Sequence, residues 1–210
     1  HGHGYTDLLF IPSEVVKSVH VQEGPFDPSQ GDFAFAGSAD YRLGIPERGS
    51  RVLYGYGSEH SHRALAILAP KGQDDATFAA FDYYRTNGYG ENRAAKRAGA
   101  LAHYVLKLPA LNFETRFGAF GYMARYDQAG VVNEADYKAG KVGFFGSEDP
   151  NQGGESDRLM FIWSMRFGTE ASRFSQVAFF GWRHLRLRVN FTGWLLDDLT
   201  DGQGNLVSNV

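Results

Sequence analysis

Apolar and polar residues alternate over long stretches of this chain, and this feature constrains its fold most. Between Lys96 and Leu108 the even-numbered residues from position 98 onward are apolar or aromatic, whereas the odd-numbered ones include Arg97 and Lys107. The segment Arg158–Phe167 alternates in the same way. Because successive side chains of a β-strand point to opposite faces, this period predicts strands with one apolar and one mixed face.

The same alternation, bounded by turn residues, predicts a series of long strands. Their lengths of about 9–15 residues exceed the five or six of a typical soluble sheet and match the roughly 9–11 that cross a tilted membrane span. Residues 1–49 differ, because Gly and Pro interrupt shorter β-like runs there, and the one helical turn is predicted at Asn133–Lys138. The long strands are predicted at Arg51–Ser58, His62–Ala69, Ala76–Thr86, Lys96–Leu108, Asn112–Tyr126, Arg158–Phe167 and Arg173 to about Leu196.

The connections between these strands alternate in length, apart from the brief first one at Glu59–Ser61. Long polar connections are predicted at Asn87–Ala95 and Asp127–Asp157, with short ones between them. Long loops at one end of the strands and tight turns at the other are typical of outer-membrane β-barrels. The short connections are predicted at Pro70–Asp75, Pro109–Leu111 and Gly168–Ser172.

Composition supports this interpretation and excludes several others. The 26 Gly, 17 Phe, 11 Tyr and 3 Trp of the 210 residues suit strands that bend and meet a membrane interface. A formal charge of −3 gives no indication of nucleic-acid binding, and the absence of cysteine excludes disulfides, thiolate metal sites and cysteine catalysis. Aromatic residues expected to form interfacial girdles are Tyr54, Tyr56, Tyr83, Tyr84, Tyr104, Phe113, Tyr126, Trp163, Trp182 and Trp194.

Several strings, taken in order, resemble TonB-dependent outer-membrane receptors. Three runs in the first part of the chain are similar to the C-terminal part of the family's plug domain. They are His3–Val16, then Val19-His20-Val21-Gln22-Glu23-Gly24-Pro25-Phe26, then Gly31–Ser38. Three further strings resemble barrel strands and loops of the same family. They are the hairpin residues Gly57-Ser58, the stretch Asn87–Asn92 before Lys96-Arg97, and Asn190-Phe191-Thr192. The order and spacing of these strings carry the resemblance.

This resemblance implies an all-β fold with two parts. Residues 1–49 are expected to be the end of a plug domain. Residues 50–210 are expected to be about seven strands of a transmembrane antiparallel β-barrel, in a family whose barrels have 22 strands. The chain is therefore expected to be a fragment without signal peptide or TonB box. The resemblance implies high-affinity uptake of a ferric siderophore, haem, cobalamin or similar nutrient, at the outer membrane of a Gram-negative cell.

The expected partners are outer-membrane lipid, a small-molecule or metal-chelate ligand, and the TonB complex acting through a plug segment missing from this chain. Ligand contacts are expected from outer loops, at Glu59, His60, His62, Tyr89, Asn92 and Arg93. His60 and His62 have a spacing that suits a metal on one face of a strand. Without a third fixed ligand they are interpreted as exposed histidines, so no metal and no cofactor is predicted.

Basic residues of the long strands share the less apolar face, which in a barrel is the lumen. They are interpreted mainly as partners for the plug, with a polar substrate pathway as the alternative, and they are Arg97, Lys107, Arg116, Arg158, Arg166, Arg186 and Arg188. The last strand loses its alternation near Gly181, where a β-bulge could reset the register.

No catalytic constellation is found, so the chain is not predicted to be an enzyme. The three serines at positions 13, 58 and 61 lack a nucleophile-elbow context, and no Gly-rich stretch is followed by the Lys of a phosphate-binding loop. A secreted, soluble β-sandwich that binds carbohydrate on aromatic platforms remains as an alternative, and a porin-like channel as a third hypothesis.

Overall fold

The computed structural model describes residues 9–26, 30 and 34–190, and the fold is all-β with antiparallel sheets, as predicted. A two-stranded sheet, β1–β2, precedes a seven-stranded sheet whose strands β3 to β9 are ordered as in the sequence. The strands are β1 (Val16–Glu23), β2 (Gly37–Leu43), β3 (Gly49–Gly57), β4 (Ser61–Ala69), β5 (Phe78–Thr86), β6 (Ala95–Leu108), β7 (Phe113–Asp127), β8 (Gly153–Gly168) and β9 (Arg173–Arg188).

Helical structure in the described residues is limited to single turns. The helix α1 (Glu134–Lys138) forms where the sequence predicts it, because the side chain of Asn133 accepts the backbone N–H of Ala135 at 2.8 Å and caps the first turn. Short 3₁₀ turns lie at Ser13–Val15 and Pro109–Leu111. None of the helices in the described part of the chain is long and apolar enough to cross a membrane.

Three predictions about the last strands are wrong, and the first is the end of β9, which lies at Arg188 and not near Leu196. β8 begins at Gly153 and not at Arg158, because its first residues pair with the ends of β7 and β9. No bulge interrupts β9, since Gly181 pairs with Met160 within a continuous register. The alternation of this strand is unusual because its inner positions are largely apolar too.

An unshifted register gives the seven-stranded sheet two distinct faces. One face, here called the inner face, carries the register partners Ile67, Ala80, Leu101, Phe120 and Met160 on β4 to β8. The opposite, outer face carries the complementary set of every second residue on the same strands. The longest connection, residues 128–152, leaves the sheet at the same end as residues 87–94, called the upper end, although residues 87–94 are no longer than residues 70–77 at the opposite end. The lower end carries residues 70–77, 109–112 and 169–172.

The N-terminal segment, described at residues 9–26, 30 and 34–45, packs some of its apolar side chains on the inner face. Val15 and Leu65 are almost completely buried, at 0% and 2% exposure. They belong to a core in which residues from before β3 contact residues of β4 to β8. The N-terminal members of this core are Phe10, Ile11, Val15, Leu43 and Ile45.

The outer face is different, because its large apolar side chains are exposed. Val52 and Phe180 are 79% and 58% exposed, and no described segment covers them. Of the aromatics expected at interfaces, Tyr84 and Tyr126 lie on the inner face, and Trp194 lies outside the described residues. The others lie on the outer face: Tyr54, Tyr56, Tyr83, Tyr104, Phe113, Trp163 and Trp182.

Arg48 joins the N-terminal segment to the lower end of the sheet. Its guanidinium donates to the carbonyl of Ile45 at 2.9 Å and to that of Asp75 at 3.1 Å. It also donates to the carbonyls of Pro70 and Thr77, which flank the same β4–β5 connection. One side chain therefore satisfies carbonyl groups from both parts of the chain, at the point where β3 begins.

We expect Leu65→Ala to lower the free energy of unfolding by about 2–5 kcal/mol, because it opens a cavity in the shared core. Leu68→Ala, on the outer face of the same strand where Leu68 is 53% exposed, should cost less than about 1 kcal/mol. Urea unfolding followed by tryptophan fluorescence measures both. Equal losses for the two variants would contradict the assignment of the core to the inner face.

Candidate functional site

Four charged groups connect the N-terminal segment to the inner face. Arg63 on β4 donates two hydrogen bonds to the carboxylate of Glu14, at 2.6 and 2.9 Å. Its Nε donates to Asp82 on β5 at 2.8 Å, and the other oxygen of Asp82 lies 3.5 Å from Nη2 of Arg97. Two arginines therefore face two carboxylates in one alternating cluster.

This cluster is partly withdrawn from water, which strengthens its ion pairs. Asp82 is only 4% exposed, so its charge requires the two guanidiniums beside it. The hydrogen bonds from Arg63 lower the pKa of the Glu14 carboxyl below its ordinary value of 4.5, against the opposing effect of burial. The ionised form of Glu14 is thus the one that docks the N-terminal segment.

Above this cluster, arginine and tyrosine side chains form a wall on the inner face. The guanidinium of Arg97 lies 5.1 Å from the ring centre of Tyr84, and that of Arg158 lies 4.0 Å from the ring centre of Phe10. Arg183 on β9 is the register partner of Arg158. We call this set the arginine wall: Arg97, Arg158 and Arg183 with Tyr84, Tyr122 and Tyr126.

The arginine wall borders a cavity of about 560 Å³ toward the upper end of the sheet. Leu9 and inner positions of β5 to β9 form most of its lining, to which the outer-face residues Lys96, Arg125 and His184 also contribute, and none of the described residues that line it is acidic. A partly apolar cavity with guanidinium and phenol groups can bind an anion through charge-assisted hydrogen bonds. Its volume suits a small molecule.

Glu59 and His60, two of the predicted ligand contacts, form the turn between β3 and β4. Both have left-handed backbone conformations, with φ of 56° and 50°, which match the tight hairpin turns that follow the twist of antiparallel strands. The carbonyl of Glu59 accepts the N–H of Asn87 at 2.9 Å, which links this turn to the next upper loop. Both residues are exposed at this turn.

His62 lies on the outer face, away from His60. Its Nδ1 is 2.7 Å from the hydroxyl of Tyr54, and its ring centre is 5.0 Å from that of Tyr56. The structure therefore does not bring the two histidines to one point. Among residues 9–26, 30 and 34–190, no group of three or more His, Asp and Glu is placed to hold a metal ion.

Tyr89, Asn92 and Arg93 belong to the connection between β5 and β6. The Tyr89 hydroxyl contacts that of Ser58 in the first hairpin. The side-chain amide of Asn92 donates to three carbonyls, among them that of Gln128 at 2.7 Å, and Arg93 donates to the carbonyl of Phe145 at 2.6 Å. Asn92 and Arg93 thus hold the long loop 128–152 against its neighbour.

The predicted face is confirmed for most of the basic residues and is wrong for two of them. Five of the seven lie on the inner face: Arg97, Lys107, Arg116, Arg158 and Arg166. Arg186 and Arg188 lie on the outer face, because β9 runs without a bulge and Arg186 pairs with Glu155. Sequence reasoning missed Arg63, the main docking residue. Its position opposite Gly55 in a hairpin gave no signal that it would meet Glu14.

Comparison with known proteins adds no relative from which function could be transferred. The chain matches no family model, no curated protein and no solved structure. The strings His3–Phe10 and Gly31–Ser38 lie partly outside the described residues, and Phe191-Thr192 lies wholly outside them.

We expect docking of the N-terminal segment to weaken in acid. Because the pKa of Glu14 is lowered in the docked state, its contribution is complete above about pH 4.5 and is lost as the pH falls through the lowered value. Hydrogen exchange of residues 9–26, measured from about pH 6 to pH 3, should show this loss.

The variant Glu14→Gln should speed exchange at pH 6 and remove most of the dependence on pH. Glu23→Gln is the matched control, because Glu23 is exposed on β1 and no ion pair in the described residues involves it. If Glu14→Gln exchanges like the wild type, the Glu14–Arg63 pair does not hold the segment.

Proposed function

We propose that this chain is part of a TonB-dependent outer-membrane receptor, comprising the end of the plug and the first strands of the barrel. The single observation that carries the proposal is the exposed apolar outer face. It extends over seven neighbouring strands of 9 to 16 residues, whereas the inner face carries the charged cluster and, on β4 to β8, the apolar core that the N-terminal segment covers. Lipid is the environment that suits such a face, since strands in a barrel alternate apolar-out and polar-in.

The topology supports an incomplete barrel. The sheet follows chain order, and β3 and β9 each have one edge with no neighbouring strand in the described part of the chain. Open edges of long strands favour pairing with further strands. Further strands would close the sheet around the N-terminal segment, in a barrel for which the resemblance implies 22 strands.

The N-terminal segment supports the assignment of a plug. It lies on the face that would become the lumen, and a small apolar core and the Glu14–Arg63–Asp82 cluster hold it there. The Glu14–Arg63 pair that docks the segment is only partly buried, so breaking it costs less than breaking a fully buried ion pair. This suits a domain that blocks the lumen at rest and is rearranged when the TonB complex of the inner membrane pulls on it.

The arginine wall supports an anionic nutrient as ligand. Ferric siderophores and haem carry carboxylate or catecholate oxygens, which guanidinium groups bind well. The wall lies below the upper loops, so a ligand arriving from outside the cell would meet the loops first. Glu59, His60, Tyr89, Asn92 and Arg93 remain predicted contacts there, with Asn92 and Arg93 also supporting the loops, whereas His62 lies on the outer face of β4.

A secreted β-sandwich that binds carbohydrate is the alternative. The exposed aromatic side chains of the outer face, such as Tyr54, Tyr56 and Trp182, are the observation that favours it, because sugars stack on such rings. In a sandwich, however, a second sheet has to cover one face of the first. The two-stranded sheet β1–β2 lies on the inner side, and its small size leaves most of the sheet uncovered.

Cell fractionation of the complete protein separates these two proposals. We expect it in the outer-membrane fraction and expect its electrophoretic mobility to change on boiling, as closed barrels resist unfolding by detergent. A sandwich would be found in the soluble fraction and would migrate identically with and without heating. A TonB box upstream of residue 1 would further distinguish a receptor from a passive channel.

We expect Arg97→Gln and Arg183→Gln to weaken binding of an anionic ferric chelate by roughly 10- to 100-fold each, because a hydrogen bond to a charged group contributes about 1.5–3 kcal/mol. Quenching of tryptophan fluorescence measures the affinity. Arg166→Gln is the matched control, since Arg166 lies on the same face near the lower end. If all three variants bind equally well, the arginine wall is not the ligand site.

A further inference from the structure

A row of basic residues crosses the outer face at its upper end. His62, Arg85, Lys96 and Arg125 are successive register partners on β4, β5, β6 and β7, so their side chains stand side by side. Partners in neighbouring antiparallel strands have Cβ atoms about 4.5–5.5 Å apart, and like charges placed directly opposite each other are unfavourable. A bound anion between them would relieve this repulsion.

The middle of this row is the part that lacks compensation. Arg125 pairs with Asp157 at 2.7 Å and with Glu155 at 3.2 Å, and His62 is engaged by Tyr54. Arg85 and Lys96 form no ion pair with any acidic residue of the described part of the chain. Two neighbouring, exposed cations thus remain without a counter-charge.

Farther down the same strands, beyond Tyr83 and Phe81 of β5, the outer face has a floor of small side chains. Ala79, Ala100, Ala102 and Ala119 line a shallow concavity of about 580 Å³, and a second one of about 660 Å³ continues from it past Phe117 and Phe161. Ala79 lies six residues from Arg85 along β5, which corresponds to about 20 Å along the strand. This is on the order of one leaflet of the hydrocarbon core, which is about 15 Å thick.

We propose that Arg85 and Lys96 bind the phosphate of a membrane lipid whose acyl chains lie in the groove over Ala79, Ala100 and Ala102. The inference rests on the proposed barrel, since it requires the outer face to contact lipid. Charge complementarity and apolar shape meet on one surface here, with the cations at the membrane boundary and the groove at acyl-chain depth. A guanidinium and an ammonium side by side suit the oxygens of a phosphate monoester.

Binding can be tested on the complete protein purified in a non-ionic detergent. The probe is dioleoyl phosphatidic acid in mixed micelles, and the readout is the lipid concentration dependence of the thermal unfolding midpoint. Dioleoylglycerol supplies the same acyl chains without phosphate, and inorganic phosphate supplies the anion without the chains. We expect only phosphatidic acid to raise the midpoint in a saturable way.

The double variant Arg85→Gln, Lys96→Gln should weaken this binding roughly 30-fold, given the usual contribution of a cation near an anionic lipid surface. Ala100→Phe, which fills the groove without changing charge, should weaken it as well. The matched control is Arg166→Gln, Arg173→Gln, which removes two cations near the lower end and should leave binding unchanged.

Several results would overturn the inference. If the double variant binds phosphatidic acid as tightly as the wild type, the two cations are not the site. An equal effect of dioleoylglycerol would show that the phosphate is not recognised, and an equal effect of inorganic phosphate would show a simple anion site. These outcomes leave the proposed function intact when the protein still migrates as a heat-modifiable barrel, whereas a wholly soluble protein overturns both.

Discussion

The unbroken register of the seven-stranded sheet is the constraint on which the other features depend. Because each strand from β3 to β9 pairs with the next without a shift, alternation along single strands becomes two continuous faces. A slip of one residue in any pair would carry the outer-face side chains of the strands beyond it to the inner face. The core under the N-terminal segment, the arginine wall and the basic row all require that every pair remain in place.

The strands and the helix α1 could be predicted from the sequence because their signals are local. Alternation fixes which residues share a face, and Asn133 marks the start of α1 by itself. The beginning of β8 could not be predicted, because Gly153 and Gly154 have little strand propensity and are extended only by pairing with β7 and β9. The face of the sheet on which Arg186 lies could not be predicted for a related reason. The sequence indicates a β-bulge near Gly181, whereas the register of β9 is continuous there.

The contacts that place the N-terminal segment could not be predicted from the sequence, because they join residues far apart in the chain. Glu14 and Arg63 are separated by 49 positions, and nothing around either residue distinguishes it from an ordinary exposed charge. Arg48 is similar, because its partners are main-chain carbonyls and carry no sequence signal. The upper loops gave clearer signals, yet Asn92 and Arg93 also hold main-chain groups there, which composition alone does not reveal.

The position of Arg48 has a mechanical consequence. It ties the carbonyl of Ile45 to the β4–β5 connection immediately before β3 begins, so a pull on the N-terminal segment reaches this residue before it reaches the sheet. The hydrogen bonds of Arg48 would be loaded together in shear, whereas the pairs of β1 with β2 could open one after another. Residues 9–45 could therefore be drawn out of place while the first strand of the sheet keeps its neighbour, and Arg48 would mark the limit of that extraction.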